Sequence, residues 1–317
     1  MFRLRSVPRG GSPRTGRLRG TALFAALGLA TIALAACSTP PEPGSPGSAT
    51  SPAPSASESV ADPTSTLPPS ACRDDQPGRY VEEIFTPAPV STTEYTAGLK
   101  ADVYQPADDP ATRVGVVWIH GGGFTQFDRT GDAEQAWGAA LENRGYVAVL
   151  IDYRLGEGAP FGLEMASDPS RAAVVDNAID DAQTALDWAR TSATQLRVDP
   201  ERVAIGGTSA GAMTAAGVAL IATGDLRPCT LVSISGAIND AWVGADPVSG
   251  LFVHGDADDV VPYDSSVSAV DGINQAGGAA TLATIRGAGH ELTGVPQPEV
   301  ITAAVGWLRE HTAARCG

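Results

Sequence analysis

The chain has 317 residues and a formal net charge of −15 at pH 7. Its first 37 residues hold six arginines and no acidic residue, which leaves 15 basic against 36 acidic residues in the rest, a net charge of about −21. A field of this sign disfavours nucleic acids and anionic polymers as partners.

The N-terminus has the pattern of an export signal. An arginine-rich start is followed by the apolar run 21–36, which is shorter than the roughly 20 residues that a membrane-spanning helix needs. The run leads into Leu-Ala-Ala-Cys, ending at Cys37, which resembles the lipobox of bacterial lipoproteins. We therefore expect residues 1–37 to be a signal peptide with lipobox, and Cys37 to anchor the protein by a lipid to the outer face of the cell membrane. The alternative is an ordinary signal peptide that is cleaved near Ala35 or Ala36 and releases a secreted protein.

A linker and one domain follow. Residues 38–70 are almost entirely Ser, Pro, Ala, Thr and Gly, so they cannot bury enough apolar surface to offset chain entropy, and we expect a disordered linker. Residues 71–317 have the length of one α/β domain. Cys72, Cys229 and Cys316 lack the spacing of metal ligands. In an exported protein, three cysteines are expected to form one disulfide and leave one free thiol. Three pairings are possible. We prefer Cys229 with Cys316, because both would lie at the same end of the sheet.

From residue 81 onward, short β-rich runs alternate with longer helical patterns. The predicted strands span residues 99–104, 115–120, 146–151, 202–205, 230–234, 251–254 and 280–285. The predicted helices span residues 132–144, 170–192, 210–223, 264–276 and 298–312. This alternation is typical of a mostly parallel central sheet with helices on both faces. Ligands bind at the carboxyl ends of the strands in such sheets, so the residues that follow each strand are the first candidates for chemistry.

A serine flanked by small residues lies between the strand-like run 202–205 and the helix-like run that follows. The sequence Gly-Thr-Ser-Ala-Gly, centred on Ser209, is typical of a nucleophile elbow, in which a sharp strand-to-helix turn exposes the serine hydroxyl. Gly207 and Gly211 would leave room where a β-carbon would collide with neighbouring backbone. On this pattern alone, a glycine turn that caps a helix is an equally good interpretation.

The second motif follows the strand 115–120. His120 is followed by three glycines, whose backbone N–H groups are open to a developing oxyanion. We expect Gly122 and Gly123, together with the N–H of Ala210, to form the oxyanion hole. A flexible glycine turn is the alternative, and the serine motif downstream disfavours it.

A nucleophilic serine needs a base, and a carboxylate that orients the base. His290 follows the strand 280–285 in a glycine-rich loop and is the predicted base. His120 and His254 fall outside the expected order of serine, acid and histidine, and His311 lies within the last predicted helix.

The acid lies in an aspartate-rich segment. Asp256, Asp258 and Asp259 all follow the strand 251–254, and periodicity does not separate them. An aspartate-rich turn that only caps the next helix is the alternative, and Asp264 fits that role better.

Taken together, these motifs resemble the α/β-hydrolase superfamily, and within it the carboxylesterase/lipase group related to hormone-sensitive lipase. The HGGG and GxSAG signatures of that group match residues 120–123 and 207–211, and its DYRL run matches residues 152–155. Residues 254–262 are similar to its HGxxDxxVP stretch, which implies that Asp258 is the catalytic acid and that the histidine at the start of the stretch shapes the loop. The sequence Gly-Thr-Ser-Ala-Gly departs from the GDSAGG form common in the group, which leaves the subgroup open.

The resemblance implies an α/β-hydrolase fold with little or no cap domain, because only residues 236–250 separate two strands and the linker replaces an N-terminal helical cap. An open cleft favours short-chain esters, or ester groups displayed on larger molecules such as acetylated or feruloylated sugars. Candidates for an acyl or aromatic pocket, each of which could equally be loop packing, are Phe124, Phe127, Phe161 and Trp242.

The predicted function is a serine carboxylesterase that works through an acyl-enzyme, with Ser209 as nucleophile, His290 as base and Asp258 as orienting acid. This mechanism requires neither a metal nor an organic cofactor. Two alternatives remain: an acyltransferase with the same residues, and a binding protein that kept the fold and lost the chemistry. The oligomeric state stays open.

Overall fold

The structure is a computed structural model that describes residues 76–107, 109, 111–158 and 169–312. Its strands are β1 Ser91–Thr96, β2 Leu99–Tyr104, β3 Arg113–Ile119, β4 Val147–Ile151, β5 Val198–Thr208, β6 Leu231–Ile234, β7 Gly250–Gly255 and β8 Ala280–Ile285. Its helices are α1 Asp132–Glu142, α2 Pro169–Thr191, α3 Ala193–Leu196, α4 Ala210–Ile221, α5 Tyr263–Gln275 and α6 Pro298–Thr312. Several predictions lie outside the described residues: the signal peptide, Cys37, the linker, Phe161 and the pairing of Cys229 with Cys72 or Cys316.

The eight strands form one sheet in the order β1-β2-β4-β3-β5-β6-β7-β8. From β4 through β3 to β8, every neighbouring pair is parallel, whereas β1 with β2 and β2 with β4 are antiparallel. The prediction of a mostly parallel sheet is therefore confirmed.

The central strands are apolar on both sides because helices cover both faces of the sheet. All seven residues of β3 are buried. On one face, the buried core includes Ala178 of α2, Met213 of α4 and Ile273 of α5. On the other face, Trp118 of β3 packs against Trp137 of α1, with ring centroids 4.2 Å apart, and α6 completes the layer. Both layers leave the carboxyl edge of the sheet accessible.

Two strands differ from the sequence prediction. The prediction missed β1, whose sequence Ser-Thr-Thr-Glu-Tyr-Thr has only Tyr95 buried, so it carries little apolar signal. Strand β5 begins at Val198, earlier than predicted, because its first residues pair with Arg113 before a register shift that ends near Gly115. Neither difference moves the carboxyl edge of the sheet.

The connection between β6 and β7 is short, as the resemblance implied. Within this fully described connection, the only helical element is the 3₁₀ turn Asp240–Trp242. The cleft at the carboxyl edge is therefore not covered from this side. Among the described helices, none combines the length and apolar character needed to cross a membrane.

Candidate active site

Ser209 occupies the sharp turn between β5 and α4. Its backbone lies at φ 52° and ψ −119°, a strained conformation for a residue with a side chain. The turn is tight because α4 starts immediately behind β3: a β-carbon on Gly211 would meet the carbonyl groups of Ile119 and His120. The glycines predicted to make room for the turn do so, and the serine hydroxyl faces the cleft.

Hydrogen bonds connect Ser209 to His290 and His290 to Asp258. The Oγ atom of Ser209 lies 3.0 Å from Nε2 of His290, and Nδ1 of His290 lies 2.8 Å from Oδ2 of Asp258. An ionised carboxylate only accepts hydrogen bonds, so Nδ1 carries the ring proton and Nε2 presents a lone pair to the serine hydroxyl. The structure thus brings together the three residues that the sequence pointed to.

The Asp258 carboxylate is completely buried and well supplied with donors. Its Oδ1 atom accepts the backbone N–H groups of Val260 and Val261, each at 2.9 Å. Burial alone would raise the pKa of Asp258, but the hydrogen bonds from His290 and these N–H groups outweigh it and hold the pKa below its ordinary value. Of its neighbours, Asp256 faces away and accepts the N–H of Gly287 at 2.6 Å.

His254 lies behind Asp258 and is not within hydrogen-bonding distance of Ser209. Its Nε2 atom is 2.9 Å from the carbonyl oxygen of Val261 and 3.3 Å from Oδ2 of Asp258. Both partners are acceptors, so Nε2 carries the proton and Nδ1 accepts the hydroxyl of Ser266 at 2.7 Å. Burial lowers the pKa of His254, which keeps this ring neutral. The fourth histidine, His311, stacks on a tryptophan of α6, away from the site.

The glycine-rich loop after β3 runs alongside the serine. A β-carbon on Gly121 would stand 3.3 Å from Cβ of Ser209. Gly122 and Gly123 have φ values of 110° and 56°, a region that favours glycine. Both glycines line the same cavity as Ser209 and Ala210, whose N–H belongs to the first turn of α4, where helix N–H groups have no intrahelical partner.

His120 holds this loop from behind. Its ring is buried, stacks on Tyr153 with centroids 4.4 Å apart, and places Nδ1 2.7 Å from the carbonyl oxygen of Gly121. Burial lowers the pKa of His120, so a neutral ring donates Nδ1–H to this carbonyl. Because the peptide group is planar and trans, fixing this carbonyl turns the N–H of Gly122 the opposite way.

The run at residues 152–155 supports the site from outside it. Asp152 pairs with Arg129 at 2.6 Å, and Arg154 pairs with the buried Asp181 of α2 at 2.8 Å. The hydroxyl of Tyr153 lies 3.3 Å from the carbonyl oxygen of His120. This run therefore fastens the loops around β4 rather than lining the cleft.

A cavity of about 530 Å³ opens over the serine. Phe127 lines it and is 69% exposed. Val260, which lies on the loop that follows β7 and carries Asp258 (the acid loop), also lines it and is 61% exposed. Two other aromatic candidates are loop packing: Phe124 is fully buried against Tyr153, and Trp242 packs beside Gly217 of α4, so neither forms the cavity wall. Only one of the described candidates thus reaches the cleft.

One buried acid is among the cavity residues that sequence reasoning did not identify. Glu134, in the first turn of α1, lines the cavity although it is only 6% exposed. An acidic residue in the first turn of a helix is common because it interacts favourably with the helix dipole, so the sequence contained no sign that Glu134 lines the cavity. Within the described ranges, no cluster of three or more His, Cys, Asp or Glu side chains could hold a metal ion.

Comparison with known proteins adds a family match to this geometry. Residues 101–228 match the BD-FAE family, a segment that includes the glycine-rich loop and Ser209 but ends before Asp258 and His290. The chain is 35% identical to para-nitrobenzyl esterase of Bacillus subtilis over 120 residues, which cover 37% of this chain and 23% of that protein. It is 34% identical to cholinesterase 1 of Branchiostoma lanceolatum over 115 residues, which cover 36% of this chain and 30% of that protein. The chain thus spans less than a third of either relative.

Solved structures match over a larger part of the chain. Esterase 2 of Thermogutta terrifontis with butyrate bound has a TM-score of 0.59 at 20% identity, covering 70% of this chain and 94% of that one. The same esterase has also been solved phosphonylated by cyclosarin. A truncated carbohydrate esterase from gut microbiota has a TM-score of 0.57 at 19% identity, covering 74% of this chain and 99% of that one. Sheet order, elbow and structural neighbours agree, and the chain has the α/β-hydrolase fold.

Proposed function

We propose that this protein is a serine carboxylesterase that hydrolyses short-chain or sugar-linked esters through an acyl-enzyme. The observation that carries the proposal is the continuous hydrogen-bonded chain from Ser209 through His290 to the buried Asp258. A serine hydroxyl is a weak nucleophile until a base removes its proton, and this arrangement supplies the base and holds it in the required tautomer.

In the first half of the reaction, Ser209 Oγ attacks the ester carbonyl while His290 Nε2 accepts the hydroxyl proton. The N–H groups of Gly122, Gly123 and Ala210 stabilise the oxyanion of the tetrahedral intermediate. The intermediate collapses, the C–O bond to the alcohol breaks, and His290 returns the proton to the leaving alcohol. Asp258 orients the imidazole and stabilises its transient positive charge.

In the second half, water takes the place of the alcohol. His290 accepts a proton from water as the water oxygen attacks the acyl carbonyl. The second tetrahedral intermediate then collapses: the bond between Ser209 Oγ and the acyl carbon breaks, His290 returns the proton to Oγ, and the carboxylic acid leaves. A cavity of about 530 Å³ that is open to solvent admits this water and a small ester group.

The substrate class rests on the cleft and on the relatives. The short connection between β6 and β7 does not cover the mouth of the cavity, which suits a compact acyl group or an ester displayed on a larger carrier. The named activities of the relatives point the same way, since they include a butyrate-bound esterase and a carbohydrate esterase.

Replacing Ser209 tests the proposal directly. We expect Ser209→Ala to lower turnover of p-nitrophenyl acetate by roughly 10⁴-fold, because the acyl-enzyme can no longer form. A fluorophosphonate probe should label the wild-type protein at Ser209 and leave the variant unlabelled. Turnover near the wild-type rate in the variant would rule the assignment out, and a folded wild-type protein that the probe does not label would favour a binding protein.

We also propose that the protein is exported and anchored through a lipid on Cys37, supported by the lipobox-like sequence that ends there. In the native host, Cys37→Ala should move the protein out of the membrane fraction. Unchanged membrane association of the variant would contradict the anchor.

A further inference from the structure

We propose that Arg129 is a positioning residue that sets the ester selectivity of the cavity, because its ion pairs hold the loop of residues 126–130 so that Phe127 faces the cavity over Ser209. The inference rests on the proposed function, since it concerns how the same cavity selects its esters. Arg129 is not among the residues that line the cavity, so it acts through the loop.

The loop of residues 126–130 buries little apolar surface. Its exposed residues are Gln126, Phe127, Asp128 and Thr130, and Arg129 alone is largely buried, with 13% of its side chain exposed. A segment with so few buried contacts opens at low free energy unless polar contacts fix it. The loop nevertheless forms part of the cavity wall, through Gln126 and Phe127. A polar attachment is therefore needed to keep this part of the wall in place.

Arg129 attaches the loop to the sheet at two carboxylates. Its Nε atom lies 3.1 Å from Oδ1 of Asp102 in β2, and its Nη1 atom lies 2.6 Å from Oδ2 of Asp152, directly after β4. The backbone N–H of Arg129 also donates to Oδ1 of Asp152, at 3.1 Å. The carboxylate of Asp152 thus holds both the side chain and the main chain of the loop.

The other hydrogen bonds of the loop are local. The N–H of Gln126 donates to a glycine carbonyl four residues earlier, and the N–H and the hydroxyl of Thr130 both donate to Oδ1 of Asp128. The side chain of Gln135 donates to the carbonyl oxygen of Thr130 at 2.6 Å, which joins the loop to α1. Among the described residues, none of these bonds reaches the sheet. The position of the loop relative to the sheet therefore depends on Arg129.

The two carboxylates also need the charge of Arg129. The side chains of Asp102 and Asp152 are 10% and 21% exposed, so solvent screens them only in part. Asp102 also accepts the hydroxyl of Thr92 in β1 at 2.5 Å, which fixes its position in the sheet. Removing the cation of a largely buried ion pair leaves carboxylates without compensation. A neutral side chain of similar length should therefore release the loop instead of replacing Arg129.

The experiment asks whether Arg129 and Phe127 act on selectivity as one unit. Arg129→Met removes the charge and keeps much of the length of the side chain. Asp102→Asn is milder, because it removes one ion pair and leaves the other partner of Arg129 in place. The matched control is Arg227→Met, which breaks an exposed pair with Asp246 outside the cavity.

Steady-state kinetics give the ratio of kcat/KM for p-nitrophenyl butyrate to that for p-nitrophenyl acetate. We expect Arg129→Met to lower this ratio by about tenfold, mainly through a higher KM for the butyrate, because the Phe127 ring no longer lines the cavity. Phe127→Ala should lower it by a similar factor, and the double variant should lower it no further, since the two residues act through one contact. Asp102→Asn should lower the ratio by about threefold, and the control should leave it unchanged.

Labelling of Ser209 by a fluorophosphonate separates this inference from the proposed function. If wild-type Ser209 is not labelled, the proposed function fails. If the variants are labelled and keep the wild-type ratio, the role of Arg129 is overturned. A double variant whose loss is the product of the two single losses would also overturn it, because Arg129 would then act independently of Phe127. Should circular dichroism find Arg129→Met unfolded, Asp102→Asn decides alone, and a wild-type ratio in that variant overturns the inference.

Discussion

Phe127 has a φ of 67° although it is not a glycine, and its side chain is 69% exposed. Both features are unfavourable for an aromatic residue in a loop, and either would be relieved by a small polar residue. A turn in which the N–H of Gln126 donates to the carbonyl of Gly122 places the ring at the cavity, beside the glycine-rich loop. Backbone strain of this kind clusters at functional sites, so we expect the Phe127 ring to contact the apolar part of the ester substrate.

Replacing Phe127 should change specificity more than catalysis. We expect Phe127→Ala to lower kcat/KM for esters with a butyryl or aromatic group by about tenfold. The reason is that the apolar contact between the ring and these groups is lost, which costs roughly 1.4 kcal/mol of binding free energy. Turnover of methyl acetate should change little. Steady-state kinetics on a panel of esters, varied separately on the acyl and alcohol sides, gives the measurement. Leu226→Ala removes an exposed apolar side chain outside this cavity and is the control; an equal loss on every ester would refute the assignment.

At the scale of elements, the start of β3 is fastened by buried charges. The Oδ2 atom of Asp109 lies 2.7 Å from Nη1 of Arg79 and 3.3 Å from Nε of Arg113, and all three side chains are buried. Burial would raise the pKa of Asp109, but its bonds to Arg79 and to backbone N–H outweigh it and keep the pKa below its usual value. A hydrogen-bonded group of buried charges resists the removal of any one member.

Neutralising Asp109 should therefore destabilise the fold. We expect Asp109→Asn to lower the free energy of unfolding by about 3–5 kcal/mol, because it leaves two buried guanidinium groups without their carboxylate. The matched control is Asp246→Asn, which breaks an exposed pair with Arg227 and should cost at most about 1 kcal/mol. Urea unfolding followed by fluorescence compares the two. An equal loss of unfolding free energy in the two variants would mean that the buried ion pairs of Asp109 contribute no more to stability than the exposed pair of Asp246.

At the scale of the whole molecule, acid should weaken the fold through its buried aspartates. The pKa values of Asp109 and Asp258 are lower in the folded protein than the ordinary value near 4, so the folded state binds fewer protons than the unfolded chain. Their contribution to stability is complete above the unfolded value and is lost as the pH falls through the folded value. We expect Asp258→Asn to lower the free energy of unfolding at pH 7 and to differ less from the wild type near pH 3. A difference that is constant between pH 7 and pH 3 would contradict this linkage.

The sequence predicted the core of the fold because continuous apolar runs and glycine signals mark central strands and their turns. It missed β1, where only Tyr95 is buried, since an edge strand needs little apolar surface. It also identified the residues that the structure brings together at the elbow and the acid loop. Glu134 could not be found in the same way, because its burial depends on the path of the loop that precedes α1, which leaves no local pattern.

The position of strand β8 at the edge of the described sheet affects how the molecule would lose activity. Among the described residues, strand β8 ends the strand order and pairs only with β7, and the loop that follows it carries His290. Edge strands open at lower free energy than central ones, so opening of β8 would withdraw the histidine while the central strands remain paired. Amide hydrogen exchange should then find β8 among the least protected strands. Inactivation under mild denaturant would precede global unfolding, and esterase activity would report on the edge of the sheet rather than on its centre.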